Sequence, residues 1–125
     1  MTTFAIPVAM VIGTNRKLTA EQHALLDRGK LEGALARPMH TWDGQLLFPT
    51  VLERGAALLH GLPAAHAFQD GNKRTAWLTC NMYLNTFDSP LQPIDPLEIA
   101  DYVEAMVSER YEVEQVAIWL SDRLK

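Results

Sequence analysis

The stretch HAFQDGNKRTAW, His66 to Trp77, decides how the chain is read. It sets a histidine, a carboxylate, a glycine and an asparagine beside Lys73 and Arg74, just ahead of an apolar run. That order describes an anion cradle at a helix start, where unpaired first-turn N–H groups and the helix dipole attract phosphate. Gly71 lets the backbone turn tightly against a ligand. Asn72 donates through its side-chain amide, and Lys73 and Arg74 supply cationic donors. Asp70 is a hard oxygen ligand of the kind that holds phosphate-bound Mg²⁺, and His66 is placed to act as a base. Taken singly, His66 would be an ordinary structural or exposed histidine, Asp70 a loop or capping residue, and Lys73 with Arg74 a solvated pair. The spacing changes the reading.

Working outward, Ala76, Trp77, Leu78, Cys80, Met82, Tyr83, Leu84 and Phe87 make Asn72 to Phe87 apolar nearly all round. This predicts the buried central helix of an all-α bundle. Upstream, Thr50-Val-Leu-Glu53 is a capping-box pattern after Pro49. Val51, Leu58, Leu59 and Leu62 continue it as a helical face that Gly61 and Pro63 are expected to close. Downstream, Asp88-Ser89-Pro90 breaks the helix, and Asp95-Pro96-Leu-Glu98 opens another with Ile99, Val103, Met106 and Val107 as its expected buried face. Val113, Val116, Ala117, Leu120 and Leu124 mark a last helix over residues 112–124.

The earlier residues are read in the same way. Asp43-Gly44, flanked by Trp42 and by Leu46 to Phe48, is a short hairpin signal. On the residues alone, a plain connecting loop whose aromatics cover the core is the favoured alternative. Lys30 to Ala36 predicts a short helix that stops before Pro38. Thr19-Ala-Glu-Gln22 reads as the cap of the first helix, Gly13-Thr14-Asn15 as a turn, and Phe4 to Ile12 as an extended arm or edge strand. The chain is thus expected to divide into an N-terminal arm, residues 1–18, and a helical domain, residues 19–125.

Composition narrows the function classes. The 125 residues are 48% apolar and 21% charged, as expected of one globular domain. A net charge of −4 gives no basic excess of the kind that nucleic-acid binding requires. The longest suspicious apolar segment, Phe4 to Ile12, is too short to span a bilayer and has no basic leader. A cytoplasmic protein with no membrane partner is the expectation. Cys80 is the single cysteine and reads as a buried thiol. Thr75 and Thr79 read as bonding carbonyls of their own helix. His23, His40 and His60 lack metal-ligand spacing.

HAFQDGNKR resembles the Fic/Doc signature HxFx(D/E)GN(G/K)R, and Lys73 is similar to the residue found there in the Doc (death-on-curing) branch. In the Fic branch that position is usually glycine, and a second arginine follows three residues after the first; here that place is Trp77. The resemblance extends over residues 27–124, is firmest from 52 to 77, and implies that Phe68 lies under the loop as core and does not stack on a nucleotide. It implies an all-α, single-domain Fic/Doc-type helical bundle with a short β-hairpin flap, in which Trp42, Asp43, Gly44, Gln45 and Leu46 align a target polypeptide by strand pairing.

The resemblance also implies chemistry. ATP would be the substrate and Mg²⁺ its ion, held by Asp70. Gly71, Asn72, Lys73 and Arg74 would surround the phosphates, and His66 would take the proton of a Ser or Thr hydroxyl. The Doc branch presents the γ-phosphate and acts as a kinase on elongation factor Tu, blocking translation, and it is restrained by a Phd-type antitoxin. The Fic-type alternative is AMP transfer to a protein hydroxyl, and a non-enzymatic regulatory module is the third. The self-inhibitory Fic motif (S/T)xxxE(G/N) would need Ser or Thr four residues before Glu32-Gly33, where Arg28 stands, so control in trans is expected.

Overall fold

The computed structural model describes residues 5–125. Its helices are α1 (Val8–Thr19), α2 (Arg28–Ala36), α3 (Val51–Ala65), α4 (Asn72–Thr86), α5 (Pro96–Ser108) and α6 (Val113–Ser121), with one hairpin, β1 (Thr41–Trp42) and β2 (Gln45–Leu46), between α2 and α3. The all-α bundle with a small hairpin is the architecture observed. Among the described residues no helix is long and apolar enough to cross a membrane.

The N-terminal segment differs from its sequence reading. From Val8 onward the expected extended arm or edge strand is helical, and Phe4 lies outside the described residues. Gly13-Thr14-Asn15 is helix interior rather than a turn. The β-branched residues there favour strand only weakly. Burial of Val11, Asn15 and Thr19, four residues apart on one face, outweighs that preference and the roughly 1 kcal/mol cost of Gly13. Thr19 closes α1 instead of capping a new helix, and Ala20 to Gln22 form only a 3-10 turn.

Capping chemistry places the next elements. The Asp27 carboxylate accepts from the Lys30 N–H at 2.9 Å, so α2 starts at Arg28, ahead of the predicted Lys30. Thr41 pairs with Leu46 and Trp42 with Gln45, while Asp43 (φ 52°) and Gly44 (φ 77°) both take positive φ, as a two-residue type I′ turn needs. Trp42 is 78% exposed, so it covers no core. The hairpin base is tied down by Arg54, whose guanidinium donates to the Phe48 and Pro49 carbonyls and to the Tyr83 hydroxyl.

Thr50 caps α3 by accepting from the Glu53 N–H, as expected. The helix does not end at Gly61 or Pro63. It carries Pro63 inside its last turn and stops at His66, which adopts the left-handed conformation (φ 50°, ψ 44°). α3, rather than α4, is the central helix: it packs against α2, α4, α5 and α6 and buries Gly55 through Leu59. Small residues allow this. A Cβ on Gly55 would lie 2.8 Å from Cδ2 and 3.2 Å from Cγ of Leu84, so this side chain of α4 packs into the space that glycine leaves.

α4 buries one face, Thr75, Ala76, Thr79, Cys80, Tyr83 and Leu84, and leaves Leu78 44% exposed, contrary to the all-round burial predicted. Asp95 caps α5 through the Leu97 N–H. Val103 and Met106 are buried as predicted, but Val107 is 41% exposed. Val116 and Leu120 of α6 are buried, and Leu124, beyond the helix, bridges Leu91. An aromatic seam joins α4, α5 and α6: Tyr102 stacks on Trp119 at 4.0 Å, Trp77 meets Trp119 edge-on at 6.0 Å, and the Arg123 guanidinium lies 3.9 Å over Trp119.

Candidate active site

The segment from His66 to Gly71 leaves the end of α3 and enters α4, and each part of its path has a partner. The Ala67 carbonyl accepts from the N–H groups of Leu26 (2.7 Å) and Asp27 (3.2 Å), and the Gln69 N–H donates to the Ala24 carbonyl at 2.9 Å. Phe68 is buried beneath the loop, as its sequence reading expected. The Asn72 side chain closes the turn from within: Oδ1 accepts from the Phe68 N–H at 3.0 Å and Nδ2 donates to the Phe68 carbonyl at 2.7 Å. One Nδ2 hydrogen and the Asn72 backbone N–H remain for other partners.

A second brace comes from α1. Asn15 Nδ2 donates to the Asp70 carbonyl at 2.8 Å and to Thr75 Oγ1 at 3.1 Å. Thr75 therefore accepts across the fold instead of bonding its own helix, whereas Thr79 does donate to the Thr75 carbonyl at 2.7 Å as expected. Gly71 (φ 75°, ψ 15°) is the residue before α4 and brings no side chain to cap it, which leaves the first-turn N–H groups of Asn72, Lys73 and Arg74 without a cap.

These residues open on one cleft of about 930 Å³. His66, Asp70, Gly71, Asn72, Lys73 and Arg74 line it. Ile99, Val103, Glu104 and Val107 of α5 also line it, as do Trp77 and Leu78 of α4. The structure thus brings His66 and Asp70 through Arg74 to a single surface, while Phe68 of the same signature lies in the core beneath it. The hairpin residues Trp42 to Leu46 are not among those lining it.

The charges in the cleft are unequally engaged. Lys73 Nζ is held by the Glu104 carboxylate of α5. The Arg74 guanidinium and the Asp70 carboxylate have no bonding partner among the described residues. No group of three or more His, Cys, Asp or Glu side chains that would hold a metal ion occurs among the described residues. A single exposed carboxylate suits Mg²⁺, which keeps most of its shell as water and substrate phosphate oxygens.

Sequence reasoning missed three of these groups. Glu104 reads as one more exposed acid on α5. Asn15 and Thr19 were hidden by the turn and cap assigned to them. Their signal was the spacing Val11, Asn15, Thr19, a helical face with an amide in its middle. His60 is also engaged structurally: its Nε2 donates to the Tyr111 carbonyl at 2.8 Å and its Nδ1 accepts from Arg37 at 3.1 Å. Burial and the adjacent Arg37 charge hold its pKa below the usual histidine value.

Residues 5–84 match the profile described as the Fic/DOC family. A stretch of 59 residues is 44% identical to a protein named Toxin Doc from Mycolicibacterium smegmatis, covering 47% of this chain and 45% of that protein. The chain therefore aligns with a little under half the length of this curated relative.

Proposed function

Because the chain belongs to the Fic/DOC family, we propose that it is a Doc-like toxin that transfers the γ-phosphate of ATP to a Ser or Thr hydroxyl of a protein, elongation factor Tu, and so blocks translation. The observation that carries this reading is the convergence of His66, Asp70, the Gly71 turn, Lys73 and Arg74 on one cleft.

Each residue has a part. His66, exposed at the end of α3, accepts the proton of the incoming hydroxyl as its oxygen bonds to the γ-phosphorus. The bond from that phosphorus to the β-phosphate oxygen breaks, leaving ADP and a phosphorylated target. The N–H groups of the Gly71 turn and the Arg74 guanidinium face the charge that spreads over the phosphoryl oxygens. Asn72 keeps the turn closed through Phe68 and adds its backbone N–H. Asp70 would hold Mg²⁺, which supplies charge neutralisation on the phosphates. Lys73 joins them after leaving Glu104. The hairpin from Trp42 to Leu46 offers strand edges on which a target segment pairs.

Kinase chemistry is favoured over AMP transfer because the residue three after Arg74 is Trp77, packed edge-on against Trp119, and among the described residues Lys73 and Arg74 are the only Lys or Arg side chains lining the cleft. Restraint by a Phd-type antitoxin is favoured over restraint in cis, since Arg28 pairs with Glu32 at 3.8 Å where a self-inhibitory motif would carry Ser or Thr.

The test is intact-mass analysis of purified elongation factor Tu after incubation with the protein, ATP and Mg²⁺, beside a His66→Ala control. Gain of one phosphate, lost in the variant, supports the reading. Gain of one AMP reverses the nucleotide orientation. No change in mass removes this target.

A further inference from the structure

Asn15 lies on α1, which contributes none of the catalytic signature, yet it is fully buried and every polar atom of its side chain is used. Nδ2 donates to the Asp70 carbonyl and to Thr75 Oγ1, while Oδ1 lies 2.8 Å from His23 Nδ1 and 3.3 Å from the Thr19 hydroxyl. Its partners thus bracket the turn, with Asp70 just before Gly71 and Thr75 just after the uncapped N–H groups of Asn72, Lys73 and Arg74.

The geometry has a specific effect. A trans peptide is planar, and its C=O and N–H point in opposite directions. Gripping the Asp70 carbonyl from the α1 side therefore turns the Gly71 N–H away from α1. It also fixes the backbone from which the Asp70 side chain springs. Thr19 reinforces this, because its Cγ2 methyl occupies the space beside Gly71: a Cβ there would lie 2.7 Å from it.

We propose that Asn15 is a positioning residue for the phosphate-binding turn, setting the orientation of the Asp70–Gly71 peptide and the reach of the Asp70 carboxylate. This inference rests on the reading of the cleft as an ATP site.

Two substitutions separate positioning from packing. Asn15→Asp keeps the acceptor toward His23 and Thr19 but replaces the donor that grips the Asp70 carbonyl. Asn15→Ala removes the grip without bringing a charge into the core and serves where Asn15→Asp does not fold. Val11→Ala, one turn earlier on the same buried face, is the packing control. MgATP affinity is measured by calorimetry well below each variant's melting temperature, with amide exchange of residues 69–75 followed in the free protein.

Loss of the grip is expected to weaken MgATP binding by about 10-fold relative to Val11→Ala, since the part-buried Asp70 carbonyl loses its partner and the turn its orientation. The loss should appear in KM more than in kcat at saturation, and exchange across the turn should quicken. Variants that bind MgATP as Val11→Ala does, with unchanged exchange at the turn, overturn the inference while leaving the ATP site intact. A wild-type chain that binds no MgATP overturns the ATP reading and this inference together.

Discussion

Gly71→Ala gives a sharp test of the turn, because two separable costs act at one atom. Gly71 sits at φ 75°, where an L residue costs roughly 1–2 kcal/mol. The added Cβ would also meet Thr19 Cγ2 at 2.7 Å and Asn15 Nδ2 at 3.2 Å. Thr19 is not free to yield: its hydroxyl donates to the Asn15 carbonyl at 2.8 Å, so rotating the methyl away breaks that bond. Overpacking of this kind costs about 1–3 kcal/mol. The sum is about 2–5 kcal/mol, and for a chain of this size roughly 3–6 °C of Tm per kcal/mol makes that about 6–30 °C.

Thr19→Ser resolves the two parts, since serine keeps the hydroxyl and removes the methyl. Alone it should cost about 0.8 kcal/mol for the lost buried methyl. In the double variant the clash portion should be recovered and the backbone portion retained, giving a coupling of about 1–3 kcal/mol by urea denaturation followed with circular dichroism. Additive single effects would refute the steric argument. A Gly71→Ala chain as stable as the parent would refute the conformational argument as well.

Other outcomes follow from particular residues. Under the transferase reading, Glu104→Gln should free Lys73 and remove a negative charge facing the phosphates. With side chains 44% and 65% exposed the ion pair is worth at most about 1 kcal/mol, so MgATP binding by calorimetry should tighten by roughly 2- to 5-fold with little change in Tm. For His60, burial first and the Arg37 charge second favour the neutral ring. Below pH 6.5 the unfolded chain therefore takes up the proton more readily than the folded one, and stability falls until the lowered folded-state pKa is passed. His60→Gln should flatten the urea midpoint across that window, and an unchanged slope would count against the assignment. Burial pushes the Cys80 thiol up to about 12, so a thiol reagent at mildly alkaline pH should leave the native protein unmodified and label it once denaturant is added.

What could be read from the sequence was what is decided locally. The caps at Thr50 and Asp95 each act within three residues, and both helices start where their caps predict. Asp43-Gly44 carries the signal of its own turn, because few residues tolerate positive φ at both central positions, but the residues alone favour a plain loop and it is the resemblance that implies the hairpin. The signature residues share a cleft because Asp70 to Arg74 are consecutive and His66 ends the helix just before them.

The failures share a different cause. Asn15 finds its partners 55 and 60 residues away, and until those are known an asparagine after Gly13-Thr14 reads as a turn. The Glu104 carboxylate meets Lys73 across 31 residues. The choice of α4 as the centre weighed side-chain hydrophobicity and missed closeness of approach. Gly55, Ala56 and Ala57 let neighbours crowd α3, and no count of large apolar residues registers that. Val107 and Leu78 belong to the same error, since both border the cleft and not the core.

The hairpin carries a consequence for how much information a target must bring. Its ladder is two residue pairs long, and each outer edge offers very few main-chain groups to a visiting strand. So short an edge gives little foothold for copies of the chain to stack on one another, a hazard that longer exposed edges invite. The same brevity makes it a poor reader, because main-chain pairing is blind to side-chain identity and this ladder gives few alternating positions to inspect. Under the transferase reading the hairpin would set the angle at which a polypeptide arrives and leave the choice of polypeptide to contacts made elsewhere on its surface.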